Sequence, residues 1–226
     1  MAEAQNQYGK YHLPEGLENR PAVKAVRKGK VYEPDTIAFM RAQCGQGDII
    51  HAGTFFGDFI PGLCGGLAPG ARLWAFEPNP LSFRAAQQTI ALNGLDNVTL
   101  TNAALSNTDQ ELLFRTRDAD GKSLGGVSHL VEEPGPGVEA VKALMLDYAV
   151  PLERPVSILQ LDVEGHEAEA LLGAYHIVNR WKPILILEYF DKIGFIHRHL
   201  RDARYERVGK LHGNVVFAPQ GHGLEL

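Results

Sequence analysis

The chain of 226 residues contains 45% hydrophobic and 22% charged residues and carries a formal net charge of −5. This length fits one large domain, and the composition is that of a globular protein with a full core. The acidic balance gives no electrostatic argument for nucleic acid or an anionic membrane as a partner. No apolar run approaches the ~18 residues of a membrane span, residues 1–10 are not signal-like, and Cys44 and Cys64 lack a metal-type spacing. We therefore expect a cytoplasmic protein.

The N-terminal part of the chain differs in composition from the rest. Residues 1–32 are polar and predict an N-terminal arm or lid, ahead of a single domain over residues 33–226. Positions 20–30 contain basic residues and no acid, which is typical of a solvated helical face or a loose arm. The alternative is a lid that contacts an anionic group of a substrate. Within residues 33–43, apolar positions predict a short helix.

Strand and helix patterns alternate through most of the remaining chain. This rhythm predicts an α/β fold with a parallel sheet and helices on both faces. The core strands are predicted at residues 48–52, 71–77, 97–101, 156–163 and 184–189. The helices are predicted from the first turn to about residue 67 and at residues 80–93, 166–179 and 191–201, and a terminal hairpin at residues 205–210 and 214–218.

The alternation is interrupted between the third and the fourth core strand. Residues 111–116 and 138–146 have strand patterns and are predicted to pair with each other beyond the main sheet. Between them, residues 117–139 are rich in glycine and proline. Loops longer than about 15 residues are usually functional or disordered. We interpret this stretch as a mobile cover over the site, and it is called the cover segment below.

Two features of the first two core strands predict a nucleoside-binding site. The first strand runs into a turn with Gly53 and Gly57, where the backbone can approach a ligand and a following helix presents free N–H groups. The second strand ends in Glu77, and a carboxylate at this place can accept two hydrogen bonds from a ribose diol. Because the carboxyl ends of parallel strands meet at one edge, we predict that Glu77 faces the glycine turn across a shared pocket.

Polar residues also follow the other core strands. Asn102 follows the third strand, where it suits contact with adenine and equally the cap of a turn. Asp162 and Glu164 follow the fourth, and their spacing places both side chains on one side of an extended backbone. They could orient the amino end of a cofactor, accept a proton from a substrate hydroxyl, hold a divalent cation or serve a structural role. His166 is a candidate general base, and as a lone histidine at a helix start it is equally a bystander.

A series of sequence blocks follows these strand ends in order. The blocks are Asp48-Ile-Ile-His-Ala-Gly-Thr-Phe-Phe-Gly57, Phe76-Glu-Pro-Asn-Pro80, Asn102-Ala-Ala-Leu-Ser106, Gly125-Gly-Val-Ser-His-Leu130, Leu146-Asp147, Leu161-Asp-Val-Glu-Gly-His-Glu167 and Ile186-Leu-Glu188. Over residues 33–218 the series resembles the FkbM-type methyltransferases. The resemblance implies a Rossmann-like class I methyltransferase fold, with a seven-stranded, mostly parallel sheet whose last strand is antiparallel. It also implies S-adenosylmethionine as cofactor and methyl transfer to a hydroxyl oxygen of a sugar or small metabolite.

The strand-end pattern and the resemblance together give the candidate site residues. The cofactor-binding candidates are His51, Gly53, Thr54, Phe55, Gly57, Glu77, Pro78, Asn79, Asn102, Ala103 and Asp162. The catalytic candidates are Asp162, Glu164 and His166, and no metal site is assigned. The expected partner is a small-molecule acceptor such as a sugar. A homodimer is left open, and neither nucleic acid nor a membrane is expected.

Two positions depart from the family pattern, which has Asp in place of His51 and Asn in place of Phe55. A carboxylate at position 51 orders the glycine turn near the positive end of the cofactor. A neutral imidazole accepts one hydrogen bond, whereas a protonated one repels a sulfonium. The departures motivate an alternative, a catalytically weakened methyltransferase-fold protein that acts as a binding or regulatory module. A nicotinamide-dependent oxidoreductase is a third hypothesis, although the middle glycine of Gly-x-Gly-x-x-Gly is missing.

Overall fold

A computed structural model describes residues 2–224 and 226; Met1, in the predicted arm, and Glu225, in the predicted domain, lie outside the described residues. The strands are β1 (Ala2–Asn6), β2 (Gly9–Leu13), β3 (Asp48–Ala52), β4 (Leu73–Phe76), β5 (Val98–Thr101), β6 (Ala104–Leu105), β7 (Gln110–Arg115), β8 (His129–Val131), β9 (Val138–Leu144), β10 (Val156–Leu161), β11 (Ile184–Glu188), β12 (Tyr205–Leu211) and β13 (Asn214–Pro219). The helices are α1 (Pro21–Arg27), α2 (Pro34–Gln43), α3 (Ile60–Cys64), α4 (Pro80–Leu92), α5 (Leu146–Ala149), α6 (Glu167–Leu172), α7 (Tyr175–Trp181) and α8 (Ile193–His199), with short 3₁₀ turns at Gly125–Val127 and Arg201–Ala203. In this described part of the chain, no helix combines the length and the apolar character that a membrane span requires.

The main sheet has seven strands in the order β12-β13-β11-β10-β3-β4-β5. The five strands from β11 to β5 pair in parallel, and β13 runs antiparallel to both of its neighbours. The predicted α/β class with a seven-stranded, mostly parallel sheet is therefore confirmed. From β3 the chain first adds β4 and β5 on one side of that strand. It later adds β10, β11 and the terminal hairpin on the other side of β3. The carboxyl ends of β3 and β10 thus flank the switch point at which open α/β sheets bind ligands.

Each face of the sheet has its own apolar core, because side chains alternate along a strand. Leu159 and Leu185 lie on the face covered by α6, α7 and α8. Ile158 and Ile186 lie on the opposite face, where α2, α3 and α4 pack. Helices therefore cover both faces, as the sequence predicts.

The helix predicted over residues 166–179 is two helices, α6 and α7, which are separated at Gly173. A Cβ at Gly173 would collide with the Ser106 carbonyl oxygen, so the chain is packed too closely there for any larger residue. The Asp147 carboxylate accepts hydrogen bonds from two backbone N–H groups in the first turn of α7 and so caps that helix from outside. These tertiary contacts explain a break that helical periodicity does not reveal. The helix predicted as far as residue 67 is also shorter, since α3 ends at residue 64.

Residues 2–30 are packed rather than loose. β1 and β2 form an antiparallel hairpin, and α1 follows it. Tyr11 and Val23 are fully buried, and they belong to one cluster with Phe56 from the glycine turn. The Tyr11 hydroxyl also donates a hydrogen bond to Asn6 Oδ1. The basic residues Lys24 and Arg27 lie on the exposed face of α1, as predicted for a solvated helical face. The alternative of a loose arm is wrong, because the apolar side chains of the segment converge on the turn.

A second, four-stranded sheet in the order β6-β9-β7-β8 lies outside the main sheet. β7 pairs antiparallel with both β8 and β9, which confirms the pairing predicted for residues 111–116 and 138–146. The cover segment contains β8 and the 3₁₀ turn at Gly125–Val127. This second sheet carries the cover segment to the carboxyl edge of the main sheet.

Candidate functional site

A cavity of about 200 Å³ lies at the carboxyl ends of β3, β10 and β11. Side chains two apart on a strand share a face, so His51 and Gln160 project to the face covered by α2 and α3. The acidic side chains in the lining are Glu33, Asp58, Asp162, Glu164 and Glu188. Among the described residues, Arg20 is the only lysine or arginine in that lining. We call this space the acidic cavity.

Glu77 lies next to the glycine turn as predicted, but it is bonded to the turn directly and does not line the acidic cavity, so the shared pocket predicted between them is not seen among the described residues. Glu77 Oε2 accepts a 2.7 Å hydrogen bond from the Phe55 N–H, and Oε1 accepts a 2.8 Å bond from the Asn79 N–H. The Gly53 N–H donates to the Phe76 carbonyl oxygen at 3.0 Å, which fixes the turn to the end of β4. Burial raises the pKa of Glu77 to about 8. The two N–H donors favour the charged form and lower the pKa, but the effect of burial is larger.

The two glycines of the turn permit close packing. Gly53 has a φ of 80°, and a Cβ at this position would collide with the Asp162 carbonyl oxygen. Gly57 has a φ of 81°, and its Cβ would lie 3.4 Å from Ala86 Cα in α4. Gly53 therefore lets the end of β3 approach β10, and Gly57 lets the turn approach α4.

The two phenylalanines of the turn have different surroundings. Phe55 is in the left-handed region with a φ of 50°, a conformation that Asn adopts at lower cost than Phe. Its ring lies near Gly126 of the cover segment and lines the acidic cavity. Phe56 is fully buried and packs its ring edge against Tyr11, with ring centroids 6.4 Å apart. Phe56 thus anchors the N-terminal hairpin, and Phe55 forms a wall of the site.

His51 is an uncharged member of the acidic cavity. Its Nδ1 is hydrogen-bonded to Gln160 Oε1, and its ring stacks on Phe59 with centroids 5.2 Å apart. Burial lowers the pKa of His51 to about 4, so the imidazole does not repel a cation at neutral pH. Because Nδ1 donates to an amide oxygen, Nε2 is an acceptor, and it has no partner among the described residues.

Three carboxylates converge at the ends of β10 and β11. Oxygen atoms of Asp162, Glu164 and Glu188 all lie within 4.8 Å of one another, and we call this group the carboxylate cluster. Burial, and then the hydrogen bond and repulsion of Glu188, raise the pKa of Asp162 well above its usual range. Burial also raises the pKa of Glu164 to about 7. Glu167 Oε1 accepts bonds from two backbone N–H groups of the turn that carries Glu164 and so fixes that turn.

Several cavity residues were not predicted as site residues. Glu33 precedes α2 and accepts hydrogen bonds from Thr36 and Asn214. Burial raises the pKa of Asp58 to about 7, and Glu33 adds a repulsive contribution. The one sequence signal for Asp58 was its place directly after Gly57, and for Glu33 its place before the proline that begins α2.

A second, much smaller space of about 20 Å³ lies on the other side of Gly53. Its lining includes Pro78, Ala103 and Leu130, and we call it the apolar cleft. His166 also lines this cleft, with Nε2 3.0 Å from the Ser106 hydroxyl. The structure thus separates His166 from Asp162 and Glu164, with which the sequence grouped it.

Five predicted cofactor ligands line neither space in the described part of the chain: Thr54, Gly57, Glu77, Asn79 and Asn102. Asn79 Oδ1 caps α4 by accepting from two backbone N–H groups, and its Nδ2 donates to the Ser128 hydroxyl. Asn102 Nδ2 donates to the carbonyl oxygens of Glu77 and Pro78. Thr54 is fully buried. Asn102 thus ties the end of β5 to the end of β4, and Asn79 ties the start of α4 to the cover segment. Contact of either residue with a cofactor stays a prediction.

Fold and cavity together define a class: a Rossmann-like domain with a cavity at the switch point of the sheet, beside a glycine turn that is hydrogen-bonded to the carboxylate of the next strand. The family model for the Methyltransferase FkbM domain matches residues 31–207. The chain belongs to this family, which confirms the resemblance seen in the sequence blocks.

A solved structure with a TM-score above 0.5 shows the same fold at low sequence identity. The chain is similar to the methyltransferase FkbM from Methylobacillus flagellatus KT, with 15% identity and a TM-score of 0.54 over 76% of this chain and 43% of that one. It thus spans less than half of that protein. A SAM-dependent methyltransferase from Aquifex aeolicus matches with 13% identity and a TM-score of 0.43 over 83% of this chain and 89% of that one. The tRNA (uracil-54, C5)-methyltransferase of Pyrococcus abyssi, solved with S-adenosyl-L-homocysteine, matches with 13% identity and a TM-score of 0.40 over 82% and 37% of the two chains. No curated protein matches the chain.

Proposed function

We propose that the protein transfers a methyl group from S-adenosylmethionine to a hydroxyl oxygen of a small molecule such as a sugar. The observation that supports this most strongly is the contact between Glu77 and the glycine turn, beside a cavity with five acidic side chains. S-adenosylmethionine carries a positive sulfonium and an ammonium group. A cavity of negative potential therefore suits its reacting end.

The residues present fit the parts of this cofactor. Glu77 uses one acceptor position on each oxygen for a backbone N–H, and a carboxylate offers about four. Two therefore remain for the ribose hydroxyls when the apolar cleft opens as far as Glu77, which is 5% exposed and lines neither space. Pro78 and Ala103 give the apolar cleft walls that suit a flat base. In the acidic cavity, the unpartnered His51 Nε2 and the buried Asp58 suit the ammonium group.

When bound, S-adenosylmethionine supplies a methyl group on a positively charged sulfur, which an acceptor oxygen takes with loss of its hydroxyl proton. The chain positions that hydroxyl and receives the proton. Glu164, whose pKa is raised to about 7, and Asp162 are the candidate bases, since both line the acidic cavity. His166 is less suited, because it lies in the apolar cleft. Proximity and alignment inside the cavity contribute most of the acceleration.

The structure also contains observations that favour the second candidate, a binding or regulatory module. The apolar cleft of about 20 Å³ has room for about one water molecule, and Phe55 adopts a left-handed conformation. The double variant His51→Asp/Phe55→Asn separates the two candidates. A large gain in cofactor affinity favours the module, whereas tight binding by the unaltered chain contradicts it.

Calorimetric titration of the full chain with S-adenosylmethionine tests the proposal. We expect saturable binding with a Kd below about 1 mM, the upper end of typical substrate affinities. Incubation with a panel of hydroxylated small molecules is then expected to release S-adenosylhomocysteine. Absence of both heat and thermal shift at millimolar cofactor would refute the proposal.

A further inference from the structure

The carboxylate cluster lacks compensation within the protein. Asp162 and Glu188 come from the ends of adjacent strands, and Glu164 comes from the turn after β10. Among the described residues, none of the three forms an ion pair. Like charges at this separation repel strongly unless protons or a cation compensate them. The fold thus holds three acids together at a cost in stability.

The spacing and chemistry of the cluster suit a hard divalent cation. Mg²⁺ binds oxygen at about 2.1 Å, so ligands on opposite sides lie about 4.2 Å apart, and Ca²⁺ needs somewhat more. The oxygens of the cluster all lie within 4.8 Å of one another. Carboxylate oxygens are the ligands that Mg²⁺, Mn²⁺ and Ca²⁺ prefer. A single ammonium group would compensate only one of the three charges.

A second observation in the same cavity is independent of the acids. His51 is 3% exposed, it lines the acidic cavity, and its Nε2 has no partner among the described residues. Buried acceptors are nearly always satisfied, so an orphaned one in a cavity wall points to a donor that comes with the occupant. A water or hydroxyl group on a bound cation is such a donor. The low basicity of the buried imidazole also avoids repulsion of the cation.

We propose that Asp162, Glu164 and Glu188 bind one divalent cation of the Mg²⁺ or Mn²⁺ type, and that His51 Nε2 accepts a hydrogen bond from a water or hydroxyl group on it. The binding does not depend on the proposed methyl transfer. The task of the cation does, since it would hold the hydroxyl oxygen of the acceptor in the acidic cavity. Each carboxylate offers one oxygen to the cation, so the second oxygen of Asp162 or Glu164 remains to receive the proton. An acceptor with two neighbouring hydroxyls, such as a sugar diol, fits such a site best.

Electron paramagnetic resonance with Mn²⁺ alone tests the site, because free Mn²⁺ loses its six-line signal on binding. The full chain without cofactor is expected to bind one Mn²⁺, and Mg²⁺ is expected to displace it. Glu188→Gln and Asp162→Asn should each weaken Mn²⁺ binding by at least about tenfold. The matched control is Asp191→Asn, which removes a nearby exposed acid that pairs with Arg207. This control should bind Mn²⁺ within about twofold of the unaltered chain.

The melting temperature provides a second readout. Mn²⁺ should raise it in the unaltered chain and not in Glu188→Gln, since only a site in the folded state contributes. Removing one of three repelling charges should not unfold the metal-free protein. If Glu188→Gln nevertheless fails to fold, Glu164→Gln, at the least buried of the three positions, replaces it. No saturable Mn²⁺ site at millimolar metal, or unchanged affinity in these variants, would overturn the proposal. Either result leaves the separate cofactor titration unaffected, so the two proposals fail independently.

Discussion

The acidic cavity and the apolar cleft lie on either side of Gly53, yet they are in opposite states. The cavity measures about 200 Å³, and among the described residues its carboxylates form no ion pair and His51 Nε2 has no hydrogen-bond partner. The cleft measures about 20 Å³, and the polar groups next to it, such as Glu77 and Asn102, are hydrogen-bonded inside the protein. The acidic cavity therefore has the charge that suits the reacting end of the cofactor, whereas the apolar cleft does not have the space for its base.

The cover segment explains the closed state of the cleft. Leu130 of β8 lines the cleft, and Ser128 is hydrogen-bonded to Asn79 at the start of α4. Gly126 packs near the Phe55 ring on the cavity side. A nucleoside enters the cleft only if this segment moves, so we expect ligand binding to shift β8 and leave the carboxylate cluster in place.

The largest loss of stability is expected from Gly53→Ala, which adds a methyl group at the boundary between the two spaces. The added Cβ would collide with the Asp162 carbonyl oxygen, so β3 and β10 must separate. We expect the free energy of unfolding in urea to fall by about 3 kcal/mol or more. Gly70→Ala is the control, because Gly70 has a similar φ of 85° and no atom within 4 Å of its Cβ. It should lose only about 1 kcal/mol, and equal losses in the two variants would contradict the packing argument.

The next largest effect is expected from Glu77→Gln, which changes only the side of the apolar cleft and should weaken cofactor binding. It replaces one acceptor oxygen with an NH₂ group beside the backbone N–H groups that Glu77 now binds. The affinity for S-adenosylhomocysteine, measured by calorimetry, should fall about 10- to 100-fold, as for a lost hydrogen bond to a charged group. Glu111→Gln, at an exposed position of β7, should bind like the unaltered chain. Affinity within twofold in both variants would mean that Glu77 does not hold the ribose.

A buried acid of the acidic cavity, Asp58, should make the stability of the protein depend on pH. Burial raises the pKa of Asp58 to about 7, so folding favours its protonated form. The stability from this group is fully present near pH 4 and is lost as the pH rises through 7, and Glu77, with a pKa near 8, acts in the same direction. Asp58→Asn should reduce the fall in unfolding free energy between pH 5 and pH 8 by about 1–3 kcal/mol. An identical slope in the variant would contradict this assignment.

The smallest effect is expected from Ser128→Ala, which removes two hydrogen bonds of the cover segment. The Ser128 hydroxyl accepts a 2.9 Å bond from Asn79 and donates a 2.7 Å bond to the Gly125 carbonyl oxygen. Losing both should cost about 1–2 kcal/mol of stability. Surface plasmon resonance with S-adenosylhomocysteine should show faster association and faster dissociation, with the Kd almost unchanged. Unaltered rates would show that the cleft does not open through this segment.

The central part of the fold was accessible from sequence because it depends on local patterns. Apolar runs of strand length, each followed by glycine or an acid, predicted the sheet and the meeting of Glu77 with the glycine turn. The same patterns correctly placed residues 111–116 and 138–146 in a separate sheet. In contrast, the break at Gly173 depends on the Ser106 carbonyl and the Asp147 cap, which are distant in sequence.

The site was predicted only in part, since its residues come from segments without strand periodicity. Glu33 and Asp58 reach the cavity from the start of α2 and from the end of the glycine turn. The sequence grouped His166 with Asp162 and Glu164 as a catalytic candidate because imidazole titrates near neutral pH. The backbone reverses between them, with φ of 53° at Glu164 and 93° at Gly165, and takes His166 to the other side of Gly53.

The central claim is that one cofactor occupies both spaces across Gly53, with its ribose on Glu77. A crystal structure of the full chain with S-adenosylhomocysteine at millimolar concentration tests it most directly. The account predicts continuous electron density from a widened apolar cleft into the acidic cavity, with both ribose hydroxyls on the Glu77 carboxylate. Density at another place, or a cleft still closed by Leu130 at saturating ligand, would contradict it.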